Sequence, residues 1–383
     1  MTTETRRLQS YDVVVIGARC AGAATAMLLA RRGMSVLAVD RDRYGTDTLS
    51  THALMRAGVL QLHRWGILKG VKAAGTPAVR STSFHYADEV VDVQIKPQDG
   101  VDGLYAPRRT VIDALLVDAA RESGAEVAYR TRLIDLVRSP DGRVCGARLR
   151  DGNGRESQVA AALVIGADGV RSTVADLVGA ERYHAGRHAT GSVFSYWSNT
   201  GIDAYHWYYR PGVSVGAIPT NGGLICLFAS VPQDRFRHEI RFDIGTGHQR
   251  VLMECAPDLA AVVQGAERTE RYRGFAGQVG FFRQSCGPGW ALVGDAGYFK
   301  DPLTAHGITD ALIDAELLAC AAAAGTDRAL ADYQQARDDR AMGLFDVTDA
   351  VASFEWDLRK VQQLHRALSD EMKKETAEAS KLH

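Results

Sequence analysis

Three short glycine segments stand out chemically, because each is typical of a site that holds phosphate or ribose. They are Gly17-Ala-Arg-Cys-Ala-Gly22, Gly166-Ala-Asp-Gly169 and Gly294-Asp-Ala-Gly297. The first follows the apolar run 13–16 and precedes an Ala- and Leu-rich stretch, which predicts a strand, a tight turn and a helix. A helix N-terminus attracts a pyrophosphate, and glycine lets the phosphate approach the backbone. The set therefore predicts a dinucleotide site.

A carboxylate stands where the second strand is predicted to end. Asp40 follows the apolar run 35–39 and lies 23 residues after Gly17. An acid at this place can accept hydrogen bonds from both ribose hydroxyls of an adenosine, and it would repel a 2′-phosphate. Asp40 therefore favours FAD or NAD over NADP at this site, although Arg41 and Arg43 carry the opposite charge.

Helices and buried strands that would position these segments recur along the chain. Predicted helices cover 23–32, 111–122 and 307–324, and a further helix, capped by Ser50 or Thr51, runs to about Trp65. Strands at 163–165 and 290–293 lead into the second and third glycine segments. Residues 186–272 alternate aromatic and β-branched residues between turns, which predicts an antiparallel sheet, and short strands are expected in 76–101. The remainder, 328–383, is predicted to be helical, and its charged end from Asp370 to be a solvated helix face.

Composition limits the kinds of partner. The 383 residues are 46% hydrophobic and 24% charged, with a formal net charge of −1. These values are ordinary for about two globular domains and lack the basic excess of nucleic-acid-binding proteins. No apolar run approaches the roughly 18 residues of a membrane span, and no signal peptide is recognised. Six cysteines without a CxxC pair argue against zinc or disulfides. We expect a cytoplasmic protein with no metal site, membrane span or nucleic-acid partner.

The order of the segments resembles that of single-component FAD-dependent aromatic hydroxylases, in a wider group with geranylgeranyl reductases and flavin halogenases. The resemblance covers the chain to about residue 330. It implies an α/β fold in which a three-layer, Rossmann-like FAD-binding domain carries an inserted antiparallel β-rich substrate domain and C-terminal helices. The expected ranges are 1–75, 102–185 and 273–330 for the FAD-binding domain, 76–101 and 186–272 for the substrate domain, and 331–383 for the C-terminal helical segment.

The resemblance also implies which residues hold FAD. The first turn would hold the pyrophosphate, Asp40 the adenosine ribose and Asp295 the ribityl hydroxyls, while Arg109 matches an Arg-x-x-Leu mark before a helix. Arg19 replaces the usual second glycine, and Ala305-His306-Gly307 replaces a Gly-x-Gly turn. The predicted cofactor-binding residues are Gly17, Arg19, Cys20, Ala21, Gly22, Asp40, Arg41, Arg109, Asp168, Gly169, Gly294, Asp295, Pro302, Gly307 and Ile308.

Several uses of the flavin remain open. In a monooxygenase, NAD(P)H or a separate flavin reductase reduces FAD, and a flavin hydroperoxide transfers oxygen to an aromatic or polyketide-like small molecule. Halogenases of the group carry a Trp-x-Trp-x-Ile-Pro motif, and the five tryptophans here never take that spacing. The third class is a reductase or dehydrogenase of an apolar substrate, for which the sheet at 213–231 could line a tunnel. A non-redox use of FAD and a nucleotide-binding module without catalysis are further alternatives. We expect the monooxygenase.

Candidate catalytic residues are His52 and His306. His52, in a polar loop, would be a flavin contact or a proton donor, or else a polar residue at a helix N-terminus. His306, in the flavin-side turn, would meet the flavin or the substrate. In the aromatic run 194–209, alternation places 205, 207 and 209 on one face and 206 and 208 on the other. One face should be core and the other could face the substrate, for which Tyr196, His206 and Tyr208 are the candidates. Three C-terminal aromatics are expected to pack on the body, or else to form a lid or the contact of a homodimer: Phe345, Phe354 and Trp356.

Overall fold

The computed structural model describes residues 9–382, which hold nineteen strands and eleven α-helices, besides four short 3-10 or π-helical turns. The strands are β1 (Gln9–Ile16), β2 (Val36–Asp40), β3 (Ser81–Tyr86), β4 (Glu89–Gln94), β5 (Glu126–Tyr129), β6 (Arg132–Arg138), β7 (Val144–Arg150), β8 (Glu156–Gly166), β9 (Arg182–Ala185), β10 (Thr190–Ser198), β11 (Tyr205–Arg210), β12 (Val213–Pro219), β13 (Ile225–Pro232), β14 (Glu267–Arg268), β15 (Arg273–Phe275), β16 (Phe281–Arg283), β17 (Cys286–Gly287), β18 (Trp290–Leu292) and β19 (Tyr298–Phe299). The helices are α1 (Cys20–Arg31), α2 (Arg56–Arg64), α3 (Leu68–Ala73), α4 (Arg109–Glu122), α5 (Thr173–Val178), α6 (Gln233–Arg235), α7 (Ile244–Cys255), α8 (Pro257–Gln264), α9 (Gly307–Ala324), α10 (Asp327–Ala352) and α11 (Leu358–Ala379). Within this range no helix has both the length and the apolar character needed to cross a bilayer.

The first sheet has a parallel core in which β1 lies between β2 and β8, with β5 and β18 outside them. Its central strand carries the continuous apolar run Val13–Ile16, and these residues are buried because both faces of the sheet are covered. One face packs against α1, α4 and α9, and the other against the β6–β7 hairpin and α5. This arrangement confirms the predicted three-layer α/β fold.

The second sheet runs in the order β14-β10-β13-β12-β11-β3-β4, with β15 also paired to β10. All its pairs are antiparallel except β11 with β3, which comes from the early segment 76–101. One face packs against α7 and α8. The other packs against the C-terminal helices and against Ala53, Met55 and Leu303 from the loops beside the first sheet. The sheet therefore forms a wall next to the predicted cofactor unit, as the β-rich insertion predicted.

Two details of the predicted elements are wrong. The second helix begins at Arg56, and neither Ser50 nor Thr51 caps it; the N-cap position is Met55. The loop stays open because His52 has a φ of 67°, which an α-helix does not allow. The region 186–272 is also not purely a sheet, since α7 and α8 interrupt it. The buried residues of α7 recur at helical spacing, a signal that the strand-like residues around them concealed.

The C-terminal helices pack onto the body of the protein. Phe345, Phe354 and Trp356 are at most 5% exposed, which confirms the packing interpretation over a dimer contact through these rings. The predicted solvated face after Asp370 is wrong in part, because Glu375 and Ala379 are buried. They continue a stripe of buried and half-buried residues along α11 that recurs every three to four positions.

Candidate functional site

The three glycine segments meet at one edge of the first sheet. They follow the adjacent strands β1, β8 and β18, and the N–H of Ala167 donates to the carbonyl of Ile16 at 2.7 Å. The N–H of Val293 donates in turn to the carbonyl of Gly166 at 2.9 Å. Gly17 has a φ of 104°, and a Cβ there would overlap the carbonyl oxygen of Ala167. A side chain at this position is therefore excluded both by the backbone conformation and by space.

The start of α1 is the part of this edge that fits a pyrophosphate. Its N-cap residue, Arg19, makes no capping bond with its side chain, so the first-turn N–H groups keep their hydrogen-bonding capacity. Cys20, Ala21 and Gly22 form that turn, and a Cβ on Gly294 would lie 2.9 Å from the Cβ of Ala21. The first and third segments thus pack closely around a helix N-terminus, the arrangement that phosphate binding needs.

Asp40 at the end of β2 is 7% exposed and already supports the first glycine turn. Its Oδ2 accepts the N–H of Ala18 at 2.8 Å, and its Oδ1 accepts the N–H of Asp42 at the same distance. A carboxylate oxygen has two lone pairs, so each oxygen keeps one for another donor. The carboxylate can therefore hold the turn and accept ribose hydroxyls together.

Asp113 on α4 gathers three of the predicted cofactor residues. It accepts hydrogen bonds from Arg19 at 3.2 Å, from the thiol of Cys20 at 2.9 Å and from Arg109 at 3.1 Å. Arg19 also pairs with Asp42 at 2.9 Å, so the residue that replaces a glycine is anchored away from the turn. Burial is the main cause that raises the pKa of the Cys20 thiol, which keeps it protonated. Cys20 is thus a small neutral residue here, and the cluster holds α1 against α4.

Asp295 in the third segment lies beside the start of α9. A Cβ on Gly307 would be 4.0 Å from its Oδ1, and no group within 9–382 donates a hydrogen bond to the carboxylate. Burial raises the pKa of Asp295 to about 7; Arg109 opposes the shift, and Asp310 adds to it. A carboxyl group without a protein donor, set in a crevice, fits a polyhydroxyl chain such as ribityl.

Asp168 in the second segment is occupied by the protein itself. Its carboxylate accepts the hydroxyl of Ser172 at 2.5 Å and the backbone N–H groups of Thr173 and Val174 at 2.6 and 3.3 Å, which fixes the start of α5. A contact of this segment with FAD would therefore come from the backbone around Gly169, whose φ is 80°. The predicted role of the Asp168 side chain stays a prediction.

His306, the residue before α9, lies in a buried ionic network that includes the C-terminal helix. The His306 side chain is 1% exposed, and its Nε2 is 2.8 Å from Oε2 of Glu375 on α11. Arg340 on α10 donates to Glu375 at 2.9 Å and to Asp314 on α9 at 2.6 Å. Burial raises the pKa of Glu375, but His306 and Arg340 outweigh it, and the net pKa is lowered.

The other nitrogen of His306, Nδ1, has no partner among residues 9–382. Ala305 before it has a φ of 53°, Pro302 is exposed, and Ile308 is 9% exposed. The turn therefore presents an open backbone at Gly307 and one free imidazole nitrogen. Sequence reasoning missed Glu375 because the C-terminal segment was interpreted as solvated.

His52 and Tyr196 form a buried hydrogen-bonded pair between the two halves of the molecule. Each side chain belongs to a residue only 1% exposed, and Nε2 of His52 bonds to the Tyr196 hydroxyl. Burial lowers the pKa of His52 to about 3, with Arg108 adding to the shift and Asp47 opposing it. The imidazole is therefore neutral near pH 7, and its Nδ1 is buried without a partner in the described chain.

Two arginines and two acids surround this pair. The guanidinium carbon of Arg108 is 3.9 Å from the centre of the Tyr196 ring, a cation–π contact. Arg108 bonds to Asp47 at 3.1 Å and to Glu270 at 2.8 Å, and Arg273 lies 3.1 Å from Asp47. Sequence reasoning missed Arg108, Glu270 and Arg273. Only Arg108 had a signal, because it is adjacent to the predicted Arg109.

The sheet face that carries Tyr196 is an aromatic wall. It places rings from four strands against rings that follow α10, and these residues are mostly buried: Tyr86, Phe194, Tyr205, Trp207, Tyr209, Phe228, Phe354 and Trp356. The predicted alternation is confirmed, since 205, 207 and 209 are buried and 206 and 208 are half-buried. These rings pack against one another and against the C-terminal helices, so this face is a buried aromatic core beside the loops of the first sheet.

His206 and Tyr208 lie on the opposite face of the sheet from Tyr196. His206 Nδ1 is 3.0 Å from His85 Nε2, and the rings of His85 and Tyr208 stack at 4.0 Å. Tyr208 packs towards α7 and α8. The structure therefore does not bring the three predicted substrate residues to one cavity. The alternation is confirmed, but both faces of the sheet are packed, and the face that carries Tyr196 is the one that contacts Ala53, Met55 and Leu303 from the loops beside the first sheet.

Comparisons with known proteins agree with this geometry. The FAD binding domain family matches residues 10–348. Digeranylgeranylglycerophospholipid reductase 2 of Methanococcoides burtonii is 27% identical over 310 residues, 79% of this chain and 72% of the relative. Aklavinone 12-hydroxylase DnrF of Streptomyces peucetius subsp. caesius is 31% identical over 204 residues, 48% of this chain and 41% of the relative.

Among solved structures, the flavin-dependent brominase Bmp2 superposes with a TM-score of 0.80 at 19% identity, covering 96% of this chain and 93% of the brominase. That likeness supports the fold alone, whereas the family match spans most of the chain. FAD, where bound, fits the uncapped start of α1, the lone pairs of Asp40 and the donor-free carboxylate of Asp295. The chain therefore belongs to the FAD binding domain family and is an FAD-dependent oxidoreductase.

Proposed function

We propose that this protein is a monooxygenase that hydroxylates an aromatic or polyketide-like small molecule, with NAD(P)H as reductant. The observation that carries the proposal is the neutral His52–Tyr196 pair, which lies between the cofactor edge and an aromatic wall. FAD, when bound, supplies the two-electron and oxygen chemistry. The chain's own residues bind the substrate, exclude water and handle a proton.

The buried pair would handle the proton by hydrogen bonding. The Tyr196 hydroxyl, held by the neutral imidazole of His52, would accept a hydrogen bond from a phenolic substrate, while His52, whose pKa is lowered to about 3, would stay unprotonated. Burial raises the pKa of the Tyr196 hydroxyl, which keeps the hydroxyl protonated, and Arg108 over the ring only partly opposes that rise. The aromatic wall would hold a planar ring by apolar contact and offset stacking, and its burial limits water.

We keep a second candidate, a reductase of an apolar substrate. It is supported by the digeranylgeranylglycerophospholipid reductase, whose match covers 79% of this chain against 48% for the hydroxylase. In that case the double bond would take up hydride and a proton, and the same pair would lie beside the carbon atom that receives the proton. A halogenase is disfavoured because the Trp-x-Trp-x-Ile-Pro motif is absent from the sequence.

One experiment separates these functions. The purified protein is loaded with FAD, and NADPH and NADH oxidation is followed with and without oxygen against a panel of phenols, polyketide-like aromatics and an isoprenoid. We expect substrate-stimulated, oxygen-dependent turnover with a hydroxylated product. Turnover that persists without oxygen would support the reductase, and a product that requires halide would support the halogenase. A protein that neither retains nor takes up FAD would overturn the family of proposals.

A further inference from the structure

The second sheet ends in an edge strand, β4, whose outer side is free. β4 pairs with β3 on one side, and no other strand within residues 9–382 pairs with it. All six of its residues are exposed, and the valines Val90, Val91 and Val93 are 50%, 40% and 42% exposed. Because side chains of a strand point alternately to the two faces of its sheet, nothing in the same chain covers either face of β4 closely. A further strand can therefore approach β4 from the side.

The backbone of β4 presents unpaired hydrogen-bonding groups along this side. The N–H of Ile95, just after the strand, donates to the carbonyl of Arg80 at 2.8 Å, so the backbone groups of Ile95 point towards β3. These groups alternate in direction along an antiparallel strand, so those of Val90, Asp92 and Gln94 point outwards. The register of β4 with β3 is regular along its whole length. An unbroken row of this kind is a template for pairing with another strand.

β4 lacks the devices that usually prevent such pairing. Its sequence, Glu-Val-Val-Asp-Val-Gln, contains no lysine and no proline. Its two acids are engaged within the chain, since Asp92 accepts the hydroxyl of Ser83 at 2.6 Å and Glu89 accepts the side-chain N–H of Gln362 on α11 at 2.8 Å. The edge is therefore regular, rich in valine and open to pairing.

The charges of β4 indicate which strand fits this edge. When two β4 strands pair antiparallel about a two-fold axis normal to the sheet, opposite residues lie on the same face, so the axis passes through one residue. An axis at Asp92 would set two carboxylates opposite each other, which is destabilising. An axis at Val91 sets Val91 opposite the partner's Val91. It also sets Val90 opposite the partner's Asp92 and Glu89 opposite the partner's Val93, so no like charges meet. The outward groups of Val90 and Asp92 then form about four backbone hydrogen bonds between the two copies.

We propose that this chain forms a homodimer in which two β4 strands pair antiparallel about Val91, so that the second sheets of both copies join into one continuous sheet. The contact is isologous, so it closes at two chains and does not grow into a fibre. A strand pair is small beside the roughly 1,600 Å² that a standard interface buries, so the dimer dissociates on dilution through the micromolar range. The dimer is independent of the reaction that the flavin supports.

Sedimentation velocity of the FAD-loaded full chain over a dilution series tests the proposal. We expect the wild type to shift from dimer to monomer on dilution. Val91→Lys sets two ammonium groups at the axis and should raise the dissociation constant of the dimer by about tenfold. The control is Val262→Lys on α8, where the valine is 43% exposed; it should dimerise like the wild type. Thermal melting and FAD retention, expected to be unchanged, show that both variants are folded.

Cross-linking tests the register without a charged variant. Opposite residues of a pair that is not hydrogen-bonded have Cα atoms about 4.5 Å apart, close enough for a disulfide. Oxidised Val91→Cys should therefore give a covalent dimer. Val93→Cys should not, because that position lies opposite the partner's Glu89, and the wild type controls for the native cysteines. A wild type that stays monomeric and leaves β4 to a different partner, a Val91→Lys dimer as tight as the control, or equal cross-linking at 91 and 93 would each overturn the proposal.

Discussion

Glu375, near the end of the C-terminal helix, accepts a hydrogen bond from His306, the residue that precedes α9, at 2.8 Å. The two residues are 69 positions apart, and both are buried. Because α9 starts beside Asp295, the C-terminal helix is mechanically connected to the predicted flavin-side turn. Arg340 joins the same pair from α10, so three helices meet at this point.

Removing the Glu375 carboxylate should loosen that turn. We expect Glu375→Gln to lower the free energy of unfolding by about 3 kcal/mol, since it leaves Arg340 buried beside a neutral group. FAD retention should fall in parallel, by about tenfold, as the turn before Gly307 loses its support. Thermal melting and FAD titration measure the two effects. The control is Glu371→Gln on the same helix. Glu371 pairs with the exposed Lys374, so loss of its carboxylate should change neither the free energy of unfolding nor FAD retention.

The same carboxylate should make stability depend on pH. The folded pKa of Glu375 is lowered below its ordinary value of 4.5, so its stabilising contribution is present above pH 4.5 and is lost as pH falls through the folded pKa. Urea unfolding of the apoprotein between pH 3 and 6 should show a steeper acid loss for the wild type than for Glu375→Gln. Parallel curves for the two proteins would contradict a buried, ionised Glu375.

Asp295→Asn should separate apoprotein stability from cofactor binding. The folded pKa of Asp295 is raised from 3.8 to about 7, so the folded state binds the proton more tightly and the unfolding free energy falls as pH rises from about 4 to about 7. An asparagine side chain does not ionise, so the unfolding free energy of the variant does not fall in this way. We therefore expect the variant apoprotein to be about 2 kcal/mol more stable than the wild-type apoprotein at pH 8. This value is smaller than the full pKa shift implies because Asp295 is partly exposed.

FAD retention by Asp295→Asn should weaken, because an amide accepts ribityl hydroxyls less strongly than a carboxylate does. Chemical unfolding of apoprotein at pH 5 and pH 8, with flavin fluorescence for retention, measures both. A variant that is less stable at pH 8, or that keeps FAD like the wild type, would remove the role assigned to Asp295.

Local signals account for what the sequence predicted well. Each glycine segment follows a short buried strand, and parallel strands bring their carboxyl ends to one edge, so Gly17, Gly166 and Gly294 were expected together. The alternation of β11 likewise predicted that 205, 207 and 209 share a face. These are properties of windows of a few residues, in which hydrophobic period and turn chemistry decide the structure.

What the sequence did not predict depends on contacts between distant residues. Glu375 is one of several acids in a charged helix, and only its position opposite His306 in the folded protein distinguishes it from the others. His206 and Tyr208 stay predictions as substrate residues, and the sequence could not show that they lie on the opposite face from Tyr196, because strand alternation within β11 does not relate its faces to those of β10. The left-handed backbone of His52 has only a weak signature in its residue type, since histidine takes this conformation more often than most residues but still uncommonly.

Tyr196→Phe should impair catalysis without disturbing the cofactor. The variant keeps the ring under Arg108 but leaves His52 without its hydroxyl partner. We expect kcat to fall by about 100-fold, the usual contribution of a positioned proton-transfer group, with FAD retention unchanged. The matched control is Tyr205→Phe, whose hydroxyl lies on the same sheet face without a described partner.

The pH dependence adds a check on that pair. Because the folded pKa of His52 is lowered to about 3, no protonation of this imidazole should appear in kcat between pH 5 and 8. A tenfold rise of kcat through pH 6.5 that His52→Gln abolishes would contradict a neutral His52. Equal losses in Tyr196→Phe and Tyr205→Phe would show that the hydroxyl of Tyr196 acts only through packing.

Gly17→Ala tests whether the first glycine turn must close against the second segment. The residue has a φ of 104°, and the added methyl group would overlap the carbonyl of Ala167. Gly33→Ala is the matched control, because its φ is 82° and nothing lies within 4 Å of the added carbon. Both variants bear the backbone strain of about 1 kcal/mol, but only Gly17→Ala must also displace backbone. We therefore expect Gly33→Ala to melt slightly lower with FAD retained, and Gly17→Ala to lose FAD at ordinary protein concentrations. Equal FAD affinity in the two variants would mean that the turn can open without loss of the site.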